Sequence, residues 1–280
     1  MRYFLECPHD FYLRKVLGFA PTIDQAFGYG RGVHNLLRQV HSEPQAWAAI
    51  ARDRGELLRR LDELIRGGQF QLKHTVGEPA ERMQRRAREV VADYVEEHAS
   101  ELQRLQFEPE RSFETLIEEE QLLISGAIDV IRLDDPPRVT IIDFKSGRPE
   151  SDARMSLDEE EMRLQVMIYG LAARHELEYE PDRGLVRYLG SRDDQPRELE
   201  IDLTEESLLS ARLRIAEAAG GIRTRRFRSG PTRPPKDHAS ATRCDDCDFL
   251  RICGLATATV APNSRTASAS RISQSLPSPT

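Results

Sequence analysis

The sequence predicts an α/β fold, a sheet with helices around it, on three observations. Two alternating apolar segments, 122–133 and 139–145, flank Asp134, Asp135, Pro136 and Pro137 and read as a β-hairpin. Apolar residues at helical spacing lie on either side of it, Val33, Leu36, Leu37 and Val40 before, Leu164, Ile168 and Leu171 after. Two further short apolar segments, 184–189 and 198–203, read as a second strand pair. A chain of 280 residues has room for one large α/β domain or two small ones.

The elements follow in order. Residues 3–17 read as a helix, with Pro8 either inside it or at a break between two short helices. After the loop 18–25, the glycines of FGYGRGVHNLLRQV permit a tight entry into the next helix. Amphipathic helices are expected over 45–66 and 78–99, and Arg82, Arg85, Arg86 and Arg88 give the second a basic side whose ordinary reading is a solvated face. A strand at 107–118 precedes the hairpin, and 147–157 is polar and irregular, a mobile edge to a cleft. A helix over 158–177, the strand pair and a helix over 205–219 complete the order. Residues 222–236 hold Arg223, Arg225, Arg226, Arg228, Arg233 and Lys236 without an acid, the best candidate for a phosphate track in the chain, with a solvated linker as the ordinary reading. The tail 255–280 has little to pack and is expected to be disordered.

Composition bounds the function. A formal charge of −7 argues against nonspecific wrapping of nucleic acid while leaving room for a local basic track. No apolar run reaches membrane length and the amino terminus lacks a signal-peptide region, so the expected location is the cytoplasm, with no membrane partner. Four cysteines are too few for a secreted disulfide scaffold, and no phosphate-cradling G-K-[ST] loop occurs.

The chemistry gathers at the end of the second hairpin strand. Asp143 and Lys145 are two residues apart and leave one face, while Phe144 points the other way with Ile142. Asp129, within GAID on the first strand, shares a face with Asp143 only if the turn holds an odd number of residues, which predicts Asp129 opposite Asp143 across a three-residue turn, 135–137. Two carboxylates so placed suit a hard divalent cation; alone, D-x-K at a strand end is as readily a surface ion pair. His34 among Val33, Leu36 and Leu37 would ordinarily be a packed histidine, and Gln165 and Tyr169, four apart, an ordinary helix contact. Cys244, Cys247 and Cys253 form C-x2-C-x5-C, with Cys7 alone near the start.

The ordered set His34, Glu110, GAID with Asp129, DFK with Asp143 and Lys145, and QVMIY with Gln165 and Tyr169 resembles the PD-(D/E)XK nuclease superfamily. Within it the set is most similar to RecB-like nuclease domains of the iron–sulfur branch, which includes AddB-type subunits and CRISPR-associated exonucleases. The resemblance implies a restriction-endonuclease-like mixed central sheet flanked by helices, with an N-terminal helical section and a C-terminal cysteine-cluster segment. It makes residues 1–254 the nuclease domain: 1–100 mainly helical, 101–221 the catalytic core, and 222–254 the basic stretch and cysteine closing segment. Such domains usually carry a few more residues before the first cysteine, so the chain is expected to be trimmed or carved from a larger polypeptide.

The implied function is a metal-dependent DNA nuclease, an exonuclease on single-stranded or frayed DNA in recombination and repair, fed by a separate helicase. The alternative is a catalytically weak DNA-binding or assembly subunit of a helicase–nuclease complex, and the site does not separate DNA from RNA. By resemblance, Asp129, Asp143, His34 and the Phe144 carbonyl hold Mg²⁺ or Mn²⁺, and Lys145 orients the attacking water and counters transition-state charge. Glu110 would bind a second cation through water or steady Lys145, with Glu114 and Glu118 as competitors, and Gln165 and Tyr169 would position DNA or the hairpin. Cys7, Cys244, Cys247 and Cys253 would bind a 4Fe-4S cluster that clips the chain ends together; zinc is the chemical alternative.

Overall fold

The computed structural model describes residues 2–19, 28–72, 76–118, 121–146, 152–190 and 198–228, together with Cys244, Cys247, Phe249, Ile252 and Cys253. Helix α1 (Arg2–Glu6) stops at Cys7, α2 (Pro8–Phe11) restarts, and a π-helical turn (Tyr12–Val16) follows. Pro8 has no N–H to give the preceding turn, so the break falls there, and Cys7 Sγ caps α2 by accepting from the Asp10 amide at 3.4 Å. Gly28 takes a left-handed φ of 88° ahead of α3 (Tyr29–Ser42), whose Val33, Leu36 and Val40 are fully buried.

The single helix expected over 45–66 is two, α4 (Pro44–Ile50) and α5 (Arg54–Arg66). Asp53 divides them because its carboxylate accepts from the Glu56 amide, an N-cap worth about 1 kcal/mol. Then come α6 (Glu78–Glu97) and the short α7 (Ala99–Arg104). On α6, Arg82 pairs with Glu78 and Arg88 with Asp62, so much of its basic side is neutralised locally.

Five strands form one mixed sheet in chain order: β1 (Gln106–Ile117), β2 (Leu122–Asp135), β3 (Arg138–Lys145), β4 (Glu180–Tyr188) and β5 (Glu198–Asp202). All neighbours are antiparallel except β3 and β4, which run parallel because α8 (Asp152–Glu176) carries the chain back between them. Helix α8 begins six residues before the expected 158, over DARMSL, whose Ala, Arg, Met and Leu favour helix, so only 147–151 of the expected irregular edge lies outside the described residues. Helix α9 (Glu205–Arg223) also outruns its expected end at 219. Gly221 is why it stays packed there: a Cβ at that position would sit 2.2 Å from the Phe4 ring. Residues 229–243, which include the rest of the basic stretch to 236, and 254–280, which include the tail from 255, lie outside the described residues.

The sheet separates two cores. Helices α3 to α7 cover one face with Trp47, Leu61 and Val91 against Val130, Ile142, Phe144 and Leu185. Helices α8 and α9 cover the other with Val166, Ala173 and Ile215 against Ile131, Val139, Ile141 and Val186. Each such side chain contributes roughly 1.5–3 kcal/mol. One polar chain threads the first core. Arg187, 3% exposed, donates to Glu198 at 2.6 Å, Glu101 at 2.8 Å and the Tyr94 hydroxyl at 2.9 Å. His41 beside it is held neutral, its Nδ1 donating to the Leu37 carbonyl and its Nε2 accepting from Tyr94, with burial pushing it down to about 4.

Candidate active site

Strands β2 and β3 pair Val130 with Ile142, Ile131 with Ile141 and Leu133 with Val139, the predicted register; the ladder ends at Val130 and Ile142, one rung short of Asp129 and Asp143. The turn differs from the expected three residues. Asp135 pairs with Arg138 across Pro136 and Pro137, and the irregular residue is Asp134. Its carboxylate is drawn aside by Arg132 Nε at 2.7 Å and the Thr140 hydroxyl at 2.6 Å, which takes Asp134 out of the ladder and keeps the parity of everything beyond it.

Asp129 owes its aim to a second irregularity. The β1–β2 ladder runs from Pro109–Val130 to Arg111–Ile128, skipping the rung where Glu110 faces Asp129, and Glu110 has a left-handed φ of 51°. The ribbon turns over there: Ile128 packs with the α8–α9 core and Val130, two residues on, with the α3–α7 core. Residues two apart in a regular strand share a face, so the inversion belongs to this rung. Asp129 Oδ2 is thereby free of the ladder's alternation and accepts the Phe144 amide at 2.9 Å, bracing β3 between Asp143 and Lys145.

Two helices close on this strand end. From α3, His34 Nδ1 lies 3.2 Å from Asp129 Oδ1, and one turn later Arg38 Nη1 lies 2.5 Å from Glu110 Oε2. One helix face thus grips both members of the skipped rung. Arg38 went unpredicted, although its spacing of four from His34 is the signal that would have found it. Glu110 gives its carboxylate to Arg38, and Glu114 and Glu118 lie exposed farther out on the ribbon. From α8, Gln165 Oε1 accepts from Lys145 Nζ at 3.0 Å, and Gln165 Nε2 donates to the Tyr169 hydroxyl at 2.7 Å. Gly184 of β4 makes this approach possible, since a Cβ there would lie 2.0 Å from Val166 Cγ1, next to Gln165.

Asp143 is the buried centre. Its side chain is 2% exposed, and Lys145 Nζ lies 2.8 Å from Oδ2. That ammonium is the charge partner of Oδ2, a buried oxygen that no other group reaches with a hydrogen bond. Burial pushes the Asp143 carboxyl up to about 6 against the pull of Lys145, with Asp129 adding to the rise. Burial pulls the His34 imidazole down, but the hydrogen bond to Asp129 and the charges of Asp129 and Asp143 outweigh it and leave His34 above its ordinary value. The Tyr169 hydroxyl, which accepts from Gln165 Nε2, is raised by burial and by Asp143 and so stays protonated.

Among the described residues, no three His, Cys, Asp or Glu side chains converge closely enough to hold a metal ion. His34, Asp129 and Asp143 lie along this strand end, with Lys145 Nζ 2.8 Å from Asp143 Oδ2. The four cysteines carry no disulfide. Burial pushes the Cys7 thiol up to about 11 against the lowering effect of the Asp10 and His9 backbone amides; burial likewise raises Cys247. Phe249, between the last two cysteines, is 4% exposed beneath the Arg14 guanidinium at 4.6 Å.

Paired strand-end acids, a lysine two residues on and a helix-borne glutamine define a candidate site for phosphodiester chemistry on a mixed sheet. The profile of the PD-(D/E)XK nuclease superfamily matches residues 1–254, and the chain belongs to that superfamily. No curated protein matches it in sequence. Among solved structures it is similar to the crystal structure of SSO0001, at 18% identity over 71% of this chain and 95% of that one, with a TM-score of 0.35. Among the described residues, no helix is long and apolar enough to cross a membrane.

Proposed function

We propose that the chain is a divalent-cation-dependent deoxyribonuclease, an exonuclease on single-stranded or frayed DNA in recombination and repair, fed by a separate helicase. The carrying observation is Asp143: a carboxylate 2% exposed whose Oδ2 has the Lys145 ammonium at 2.8 Å and no other partner. Burying an acid so deeply against a single cation is costly for a merely structural residue, and a hard divalent cation offsets that cost. Asp129, Asp143, His34 and the Phe144 carbonyl would hold Mg²⁺ or Mn²⁺, which when bound polarises the phosphoryl group and acidifies water. Lys145 then supplies positive charge at the attacking water and at the phosphoryl oxygens, and Gln165, itself fixed by Tyr169, holds its ammonium in place. Asp129 keeps the Phe144 backbone, and so the whole D-x-K segment, from shifting along β2.

In the same reading Cys7, Cys244, Cys247 and Cys253 bind a 4Fe-4S cluster, with zinc as the lesser alternative. In support, the thiols are unbridged, and burial makes Cys7 and Cys247 costlier to ionise, an opposition that bound metal relieves. A second reading, a DNA-binding or assembly subunit that cuts poorly, is favoured by the lack of three converging donors among the described residues. Purification without oxygen, assay on labelled single-stranded and duplex DNA with Mg²⁺ or Mn²⁺, and iron and sulfide analysis of wild type, D143A and K145A decide between them. Cutting lost in both variants with iron retained supports the nuclease; DNA binding without cutting by iron-loaded wild type supports the assembly subunit.

A further inference from the structure

We propose that Arg225 and Arg228, with Arg223 and Arg226 beside them, form a docking strip for the phosphodiester backbone of a nucleic-acid strand leading to the β2–β3 site. The inference rests on the nuclease reading for its destination only.

The local backbone is the first reason. Helix α9 ends in a Schellman turn, with Arg226 N–H donating to the Gly221 carbonyl at 2.9 Å and Arg225 N–H to that of Ile222 at 3.1 Å. Arg225 occupies the left-handed position of this turn, with φ 55°, where glycine is the usual residue. An arginine kept there against the backbone's preference points to a task for its side chain.

The second reason is how firmly the segment is held. Phe227 stacks on Tyr12 at 5.4 Å and Phe11 at 6.0 Å, meets Phe4 edge-on at 6.4 Å, and its carbonyl accepts from His9 Nδ1 at 3.2 Å. That anchor leaves Arg225, Arg226 and Arg228 exposed around it. Among the described residues none of the three has an acidic partner, and Asp10, the acid of the aromatic nest, is committed to Arg14 at 2.9 Å. Like charges fixed within four residues repel one another unless an anion joins them. The dipole of α9 accounts for Arg223, in its last turn, and Arg226 lies back over Gly221; neither explanation reaches Arg225 or Arg228.

The third is where the strip lies. Arg223 donates to the carbonyl of Gln121 at 2.8 Å, at the β1–β2 turn. Gln121 lies immediately before β2 and eight residues ahead of Asp129, at most about 26 Å at roughly 3.3 Å per residue. At about 3.4 Å per nucleotide of a stacked strand, some eight nucleotides span that distance.

The test is fluorescence anisotropy with a twenty-nucleotide single strand and the matching duplex, in EDTA and over a salt series, on wild type, R225G, R225G/R228A and R225K/R228K. Losing two phosphate contacts should lower the slope of log affinity against log salt by about 1.4 on a single strand, with the lysine pair restoring it. The difference should close for a strand of four nucleotides. R225G should bind less tightly yet melt about 2 to 4 °C higher, because glycine suits the left-handed turn; loss of fold cannot produce that combination. A slope that falls only on one nucleic-acid form identifies the form that rides on the strip. Unchanged affinity and slope in R225G/R228A overturns the strip, and cutting by the same wild-type preparation would leave the nuclease reading standing. A wild type that neither binds nor cuts overturns both.

Discussion

Replacing Asp143 by Asn should stabilise the metal-free protein while abolishing cutting. The carboxyl is raised from its ordinary 3.8 to about 6 by burial, so the folded chain holds this proton more tightly than the unfolded chain does. For an acid shifted upward, stability is fully present below the unfolded value and lost as pH rises through the folded one. At about 1.4 kcal/mol per pH unit, the loss is about 3 kcal/mol above pH 7 and roughly half that at pH 5. Because Asp143 is only 2% exposed, solvent screening does not shrink this figure. The neutral amide of the D143N variant would carry no such charge; thermal unfolding in EDTA should therefore show D143N melting on the order of 6 to 10 °C above wild type at pH 7.5, with the gap narrowing at pH 5. Mg²⁺ or Mn²⁺ should raise the wild-type midpoint and leave that of D143N unmoved. D143N melting at or below wild type at pH 7.5, or a gap indifferent to pH, would refute the account of Asp143 as a buried, poorly satisfied acid.

Three other substitutions probe separate parts of the site. If Glu110 acts through its left-handed backbone, E110G should keep cutting activity and gain about 1 kcal/mol, while E110V should lose about 1–3 kcal/mol and most activity; loss of cutting in both E110G and E110Q would instead show that the carboxylate is needed. G184V forces α8 away from β4 at Val166 and should cost about 1–3 kcal/mol, with cutting lost in proportion to the Lys145–Gln165 contact, read by a lower melting point and a reduced kcat. C247A should lose bound iron and lower the melting midpoint under anaerobic conditions, and iron retained at wild-type stoichiometry would exclude Cys247 as a ligand.

Much of the fold was legible because period and punctuation are local. The alternation of 122–133 and 139–145 and the parity of their connection were enough to set the register that ends one rung short of Asp129 and Asp143, even though the turn is built around a displaced Asp134 rather than three loop residues. Helix ends were less legible where a cap or a neighbour decides them. Asp53 splits one expected helix, and α9 runs past 219 because Gly221 meets Phe4, which no residue near Gly221 reveals.

The sequence by itself determined which residues could carry chemistry and which side of each strand or helix they leave, since both follow from side-chain type and a period of 2.0 or 3.6. Only the tertiary structure decided what those groups became. Burial under α8 made Asp143 a weak acid, the reversal of the β1–β2 ribbon at Glu110 turned Asp129 toward His34 and the Phe144 amide, and Gly184 let Gln165 reach Lys145. Each of these depends on desolvation or on contact between segments far apart in the chain, quantities that no local pattern of residues encodes.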